Sequence, residues 1–129
     1  MVRWVLRSVC LAMLLILGPT AGSAGRGPRV TGIYSDMRFI QNSGDVLGTE
    51  IMIVTSVKGY YAFIQVSEGE PAVPVVVPIT VEGAMVSFNV PDSLGGGEFR
   101  GKVSDIGLTG GFGGDRQSWN LKRGKSYWQ

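Results

Sequence analysis

Histidine is absent from this sequence, and its single cysteine, Cys10, lies close to the N-terminus. Without histidine, neither a Ser-His-Asp triad nor a Cys-His pair can form, and the usual zinc and copper sites lose their ligands. These absences exclude the commonest hydrolase chemistries, and we expect no metal and no other cofactor. Carboxylate, tyrosine, serine and lysine chemistry remain open.

An apolar run long enough to span a membrane is also missing near the N-terminus. The run over residues 9–17 follows basic Arg3 and Arg7 and precedes the small residues 21–24, whereas a spanning helix needs about 20 apolar residues. This three-part pattern is typical of a secretory signal. We predict a signal peptide over residues 1–24, cleaved near Ala24, and one domain over residues 25–129, secreted or periplasmic and without disulfides because Cys10 leaves with the signal.

Net charge is lacking once the signal is removed. Without Arg3 and Arg7, ten lysine and arginine residues balance ten aspartate and glutamate residues. A neutral domain has no overall field that attracts nucleic acid or an anionic membrane. We therefore expect neither as a partner, which leaves a small apolar ligand, a protein partner or a second copy in a homodimer.

A sustained helical period is absent as well, and apolar residues alternate instead between turn-forming Gly, Pro, Asn and Asp. In residues 98–104, for example, Phe99, Gly101 and Val103 share one face and charged residues occupy the other. The pattern predicts an all-β fold of about eight strands, arranged as an antiparallel meander that forms a small, closed or partly open barrel. A two-sheet β-sandwich is the alternative. The predicted strands cover residues 30–36, 49–57, 60–68, 73–81, 84–90, 98–104, 106–112 and 118–123.

Two prolines reduce the hydrogen bonding that one strand of the barrel can make. Pro74 and Pro78 are four residues apart, so in a strand they face the same neighbouring strand, and neither has a backbone N–H to donate. We expect one poorly bonded seam beside this strand.

A hairpin is predicted at Lys58-Gly59, with Val57 opposite Tyr60 and Ile53 opposite Ile64 on the core face. The other face is also largely apolar. It is covered by another part of the chain, forms a ligand cavity, or is a contact patch. Its members are Met52, Val54, Tyr61 and Phe63.

The ends of the domain resemble the calycin group, the lipocalin-like and avidin-like barrels. Gly32-Ile33-Tyr34 stands where that group has Gly-x-Trp on its first strand, with tyrosine in place of tryptophan, and Leu121-Lys122-Arg123 stands on the last strand. The resemblance implies a barrel that binds a small molecule at its open mouth. It also implies that Arg123 stacks on Tyr34, which makes Gly32, Tyr34 and Arg123 structural residues.

The first functional hypothesis is a non-enzymatic exported barrel that binds a small apolar or amphipathic ligand in its interior. An eight-stranded barrel is either just filled by side chains or holds one small ligand, and glycines at inward positions 32, 101 and 110 would leave room. The proposed ligand-binding residues are Ile53, Ile64, Val86, Phe88, Phe99 and Phe112.

Two alternatives stay open. One is a protein-interaction module, such as an envelope-assembly factor or an inhibitor of a secreted enzyme, that uses the apolar hairpin face. The other is a hydrolase whose acid/base pair comes from Asp36, Asp45 and Glu50, which lie close together in the sequence.

Overall fold

The computed structural model describes residues 26–114 and 117–129. The predicted signal peptide lies outside these residues. Within them, the one helical segment is a single 3₁₀ turn, Asp92–Leu94. The described strands are β1 Gly32–Ser35, β2 Arg38–Ile40, β3 Asp45–Ser56, β4 Gly59–Gly69, β5 Val75–Glu82, β6 Met85–Val90, β7 Gly97–Val103, β8 Gly107–Phe112 and β9 Ser118–Arg123.

The strands form one antiparallel sheet in which each strand from β3 to β9 pairs with the next along the chain. β1 pairs with β3 on one side and with β9 on the other, and so joins the two ends of the sheet. Eight strands therefore make a closed barrel, and β2 is an additional strand that follows β1 along β3. The predicted all-β meander and small barrel are confirmed, and the two-sheet sandwich does not form.

Alternate residues of each strand point into the barrel, as the period of a β-strand requires. In β7, Phe99, Gly101 and Val103 are buried, as predicted, and the charged residues between them are exposed. Phe99 is the centre of an aromatic cluster. Its ring stacks on Phe88 with centroids 4.9 Å apart and on Trp119 with centroids 5.0 Å apart.

The inward glycines do not leave room for a ligand, contrary to our expectation. A Cβ added at Gly101 or at Gly110 would lie 2.7 Å from a ring atom of Phe99, so the phenyl ring already fills the space beside both glycines. At Gly32, an added Cβ would lie 3.1 Å from Nη1 of Arg123. The centre and this end of the barrel are therefore packed with the protein's own side chains.

The β3–β4 hairpin forms with a register that differs from the predicted one by two residues. The predicted pairing of Val57 with Tyr60 is wrong, because the closing pair is Ser56 and Gly59. Gly59 has a φ of 116° and supplies the left-handed backbone just after the turn rather than within it. Because side chains alternate with a period of two, this shift leaves the paired residues on their predicted faces. Val57 is the exception, since it lies in the turn and is fully exposed instead of facing the core.

The poorly bonded seam lies between β5 and β6. β5 pairs with β4 over residues 75–79, but it pairs with β6 only from Thr80 to Glu82. Pro78 lies in the part of β5 that β6 does not pair, and Pro74 directly precedes the strand. A weakly paired seam beside this strand was predicted, and the structure places it on the β6 side.

Candidate ligand-binding cleft at the barrel mouth

One end of the barrel is closed by Arg123. Its Nη2 donates a hydrogen bond to the Tyr34 hydroxyl at 2.7 Å, and its Cζ lies 4.9 Å from the Tyr34 ring centroid. Nη1 donates to the Thr31 carbonyl at 3.2 Å, and Nη2 also bonds the Arg29 carbonyl. The contact implied by the calycin resemblance is therefore present, and it ties the segment before β1 to the last strand.

Tyr34 is fully buried and donates its hydroxyl proton to the Val30 carbonyl at 2.6 Å. Burial raises the pKa of Tyr34, because the charged phenolate would lose its water. The guanidinium of Arg123 opposes that rise by its positive charge and its hydrogen bond. The neutral phenol thus both donates to Val30 and accepts from Arg123.

The opposite end of the barrel begins at a kink between β1 and β2. Both strands keep the same register against β3, with Ser35 opposite Glu50 and Arg38 opposite Leu47. Between them, the Asp36 N–H donates to the Thr49 carbonyl at 3.1 Å, while the Thr49 N–H donates to Oδ1 of Asp36 at 2.6 Å. The Asp36 side chain has replaced its own carbonyl in the ladder, which is the local competition typical of aspartate.

Two neighbours allow this kink. Gly48 has a φ of 120°, and a Cβ there would lie 2.7 Å from both the carbonyl oxygen and Oδ1 of Asp36, so only glycine lets the chain come so close. The Met37 N–H donates to Oγ of Ser35 at 3.2 Å instead of joining a ladder. Side chains thus satisfy the backbone on both sides of Asp36.

At the kink, β2 parts from β9. The β1–β9 ladder consists of Tyr34 opposite Arg123 and Ser35 opposite Lys122. Beyond Ser35 no pairing between β2 and β9 exists in the part of the chain that the structure describes. The barrel wall is therefore split at this end, and we call this opening the β2–β9 slot.

A cleft of about 510 Å³ occupies this mouth. Its floor is apolar and continues the central cluster, since Phe112 meets Trp119 edge to face with ring centroids 5.0 Å apart. Arg38 and Asp36 stand on the β2 side, and Glu68 stands at the end of β4. The described residues that line the cleft are Asp36, Arg38, Leu47, Gly48, Thr49, Val66, Ser67, Glu68, Leu94, Gly95, Gly96, Phe112, Gln117 and Trp119.

The sequence-predicted ligand residues mostly lie below this cleft. Ile53, Ile64, Val86, Phe88 and Phe99 belong to the packed core, each at most 4% exposed. Phe112 alone among the six lines the cleft.

Sequence reasoning missed most of the cleft's lining. Asp36 and Arg38 follow Tyr34 at steps of two, so the alternation of β1 continued through the kink would have placed them on the inner face. Trp119 belongs both to the core and to the cleft floor. Leu94 ends a single 3₁₀ turn, which is too short for a periodic pattern to identify an inward side chain.

The predicted interaction patch lies together on the outer face. Met52 pairs with Phe63, and Val54 pairs with Tyr61. Met52 is 37% exposed and Phe63 is 41% exposed, whereas Val54 and Tyr61 are half-buried. Val76, which is 55% exposed and lies opposite Phe63, extends this apolar row.

The C-terminal tail covers part of the same wall. Glu50 accepts a hydrogen bond from Oγ of Ser126 at 2.5 Å and one from the Tyr127 N–H at 2.7 Å. The indole N–H of Trp128 donates to Oε1 of Gln65 at 3.0 Å. A groove of about 350 Å³ remains between this tail and the outer apolar row.

Asp36 and Glu50, two of the three carboxylates considered for hydrolysis, lie on different sides of the barrel wall. Asp36 lines the mouth cleft, whereas Glu50 faces outward and holds the tail. Among residues 26–114 and 117–129, no group of three or more acidic side chains is arranged to hold a metal ion.

The closed eight-stranded antiparallel barrel is compatible with a small calycin-like barrel. Within the described residues, no helix has both the length and the apolar character needed to cross a membrane. The chain matches no protein-family model, and neither curated proteins nor solved structures gave a match.

Proposed function

We propose that this protein is an exported, non-enzymatic, calycin-like barrel that binds a small amphipathic ligand in the mouth cleft. The observation that carries the proposal is the cleft itself, whose volume of about 510 Å³ opens above a packed aromatic core. Small-molecule sites usually enclose about 300–1,000 Å³ and combine an apolar lining with a few polar groups.

The lining fixes how such a ligand lies. Its apolar part packs on Phe112 and Trp119, whose edge-to-face arrangement presents one ring face and one ring edge to the cleft floor. Its polar part lies beside Arg38 of β2 and Glu68 of β4, two charged side chains that line the cleft. This moves the expected site from the barrel interior to the mouth, because Phe99 fills the interior.

Export rests on the sequence alone, through the signal pattern of residues 1–24. The calycin-like assignment is supported by the closed barrel and by the Arg123–Tyr34 contact. Export and the calycin-like fold are therefore parts of the proposed function.

The test uses anilinonaphthalene sulfonate, an amphipathic probe, titrated into the protein by calorimetry. Leu94→Trp adds bulk to a half-buried side chain that lines the cleft, and we expect it to weaken probe binding at least tenfold. Val57→Trp is the matched control, since Val57 is fully exposed in the hairpin turn. Equal binding by both variants, or no binding by the wild-type protein, would contradict the proposal.

The outer apolar row favours a second candidate, a protein-interaction module. Met52, Phe63 and Val76 lie side by side on three adjacent strands and remain substantially exposed although the tail lies nearby. Phe63→Asp should abolish capture of a partner and leave probe binding in the cleft unchanged. Ile106→Asp, which alters an exposed apolar residue outside this row, is the control. Partner capture that survives Phe63→Asp rules this candidate out.

A further inference from the structure

We infer that the β2–β9 slot receives an extended peptide segment as an inserted strand, so that the ligand of the mouth cleft is a peptide. This inference rests on the proposed function, because it names the chemical class of the ligand for the same cleft. It goes further in assigning a recognition mode, hydrogen bonding of a peptide backbone to exposed strand edges.

The backbone groups of β9 point alternately towards β8 and towards β1. Arg123 donates its N–H to the Ile106 carbonyl at 2.9 Å, towards β8, whereas Gly124 donates to the Ile33 carbonyl at 3.1 Å, towards β1. In an antiparallel sheet, backbone groups of successive residues point to opposite neighbours. Asn120 and Ser118 therefore direct their N–H and C=O groups into the slot.

The facing edge is β2. The Ile40 carbonyl accepts the Gly44 N–H at 2.8 Å, within the turn towards β3. By the same alternation, Phe39 directs its N–H and C=O groups away from β3 and into the slot. Both walls of the slot thus carry backbone donors and acceptors that no other described strand pairs.

The slot continues the line of the β1–β9 ladder. Continuing the β1–β9 register past Ser35 and Lys122 sets Met37 opposite Asn120 and Phe39 opposite Ser118. The ladder ends where Oγ of Ser35 takes the Met37 N–H, which the alternation would direct towards β9. The slot is therefore a ladder interrupted part-way, along the five residues 36–40 that follow Ser35 to the end of β2, and an incoming strand would continue it.

Aromatic side chains lie on both faces of the slot. The inward side chains of an inserted strand would meet the cleft floor at Trp119 and Phe112. Its outward side chains would lie beside Phe39, which is 55% exposed and stands at the slot edge. Aromatic cross-strand neighbours of this kind stabilise strand pairing. An apolar side chain therefore has a contact on either face.

Because β2 and β9 run in opposite directions, an inserted strand is antiparallel to one and parallel to the other. β9 offers both backbone groups of two residues, whereas along β2 only Phe39 offers both, because Oγ of Ser35 takes the Met37 N–H. Antiparallel pairing is also slightly more stable for each residue. The segment therefore runs antiparallel to β9.

The probe is a capped pentapeptide of alternating threonine and valine, whose length matches the slot. Its binding should slow amide hydrogen exchange at Phe39, Ser118 and Asn120 at least tenfold, as measured by NMR. The amides of Trp119 and Leu121, which already point towards β8, should change little.

Two controls separate backbone recognition from simple apolar binding. The same peptide with every backbone amide N-methylated keeps its side chains and loses its donors, and it should bind at least tenfold more weakly. Asn120→Pro removes a slot-facing N–H without removing a β8 bond, and it should weaken binding about fivefold relative to Asn120→Ala, which keeps that N–H.

The outcomes separate this inference from the proposed function. If anilinonaphthalene sulfonate binds in the cleft and the pentapeptide does not, the peptide inference fails and the ligand-binding function stands. Equal binding of the N-methylated and unmodified peptides also overturns the inference. If neither probe binds, both proposals fail. If Asn120→Pro does not fold, the comparison of the two peptides alone decides.

Discussion

The Asp36 carboxylate accepts the Thr49 backbone N–H at 2.6 Å, in the place where the Asp36 carbonyl would stand in a regular ladder. This one exchange separates β1 from β2 while both stay in register with β3. It marks the break between the two strands, beyond which no described pairing joins β2 to β9.

Replacing Asp36 with alanine should lower the free energy of unfolding by about 1–3 kcal/mol, because the Thr49 N–H loses its charged acceptor. Asp36→Asn keeps an acceptor oxygen and should cost less than half as much. Urea denaturation measures both, and Asp105→Ala, at an exposed turn residue, is the control. Equal stability of Asp36→Ala and the control would show that the hydrogen bond does not hold the kink.

The glycines beside Phe99 give a second prediction. In Gly101→Ala, the new methyl group would lie 2.7 Å from Cε1 of Phe99 and 3.0 Å from the Thr109 carbonyl oxygen. We expect a loss of about 2–3 kcal/mol by overpacking. Gly113→Ala, where nothing lies within 4 Å of the new Cβ, should be nearly neutral.

A double-mutant cycle tests the cause of that loss. In a Phe99→Leu background, the smaller side chain leaves room, so Gly101→Ala should cost about 1 kcal/mol less than in the wild type. An unchanged cost would place the clash on the Thr109 backbone instead.

Tyr34 predicts a dependence of stability on alkaline pH. Burial raises the folded-state pKa of Tyr34 above its unfolded value of about 10, so the unfolded chain releases its proton first. Its contribution to the free energy of unfolding is fully present below about pH 10 and is lost as pH rises towards the folded pKa.

Tyr34→Phe removes this titration and should give a shallower fall in stability above pH 10, measured by urea denaturation at several pH values. It should also be less stable at neutral pH by about 1–2 kcal/mol, because the bonds to Val30 and Arg123 are lost. Parallel pH profiles for the two proteins would contradict the assignment to Tyr34.

The tail gives a fourth prediction, measured by limited proteolysis. Glu50→Ala removes the acceptor of the Ser126 hydroxyl and the Tyr127 N–H, so the tail should open more often and trypsin should cleave after Lys125 several-fold faster. Glu82→Ala, at an exposed residue of β5, should leave the rate unchanged. Equal rates in the two variants would mean that Glu50 does not hold the tail.

Strand positions and faces could be read from the alternation of apolar residues, because burial of one face imposes a period of two. A register shift of two residues leaves that alternation unchanged, so Ser56 opposite Gly59 was not foreseen although the faces of the paired residues were right. A weak seam beside β5 was predictable because Pro74 and Pro78 have no backbone N–H to donate in any fold, but the sequence did not say that the neighbour would be β6.

The mouth cleft was beyond this reasoning. It depends on side chains that replace backbone groups at Asp36 and Ser35, and such exchanges leave no trace in a hydrophobic pattern. The filled interior was missed for a related reason. A glycine facing inward in the sequence does not say whether a ligand or the ring of Phe99 uses its space.

Closure of the barrel has a consequence for how the chain folds. Tyr34 and Arg123, which join the first strand to the last, are 89 positions apart, so the loop they close spans most of the domain. Such long-range pairing places small barrels among slow-folding topologies, in the millisecond-to-second range. When the chain becomes available for folding from its N-terminal end, β1 can pair with β3 early, but it pairs with its second neighbour only after β9 has emerged. Until then its edge is open to mispairing, and a chaperone that shields an unpaired strand would act during that interval.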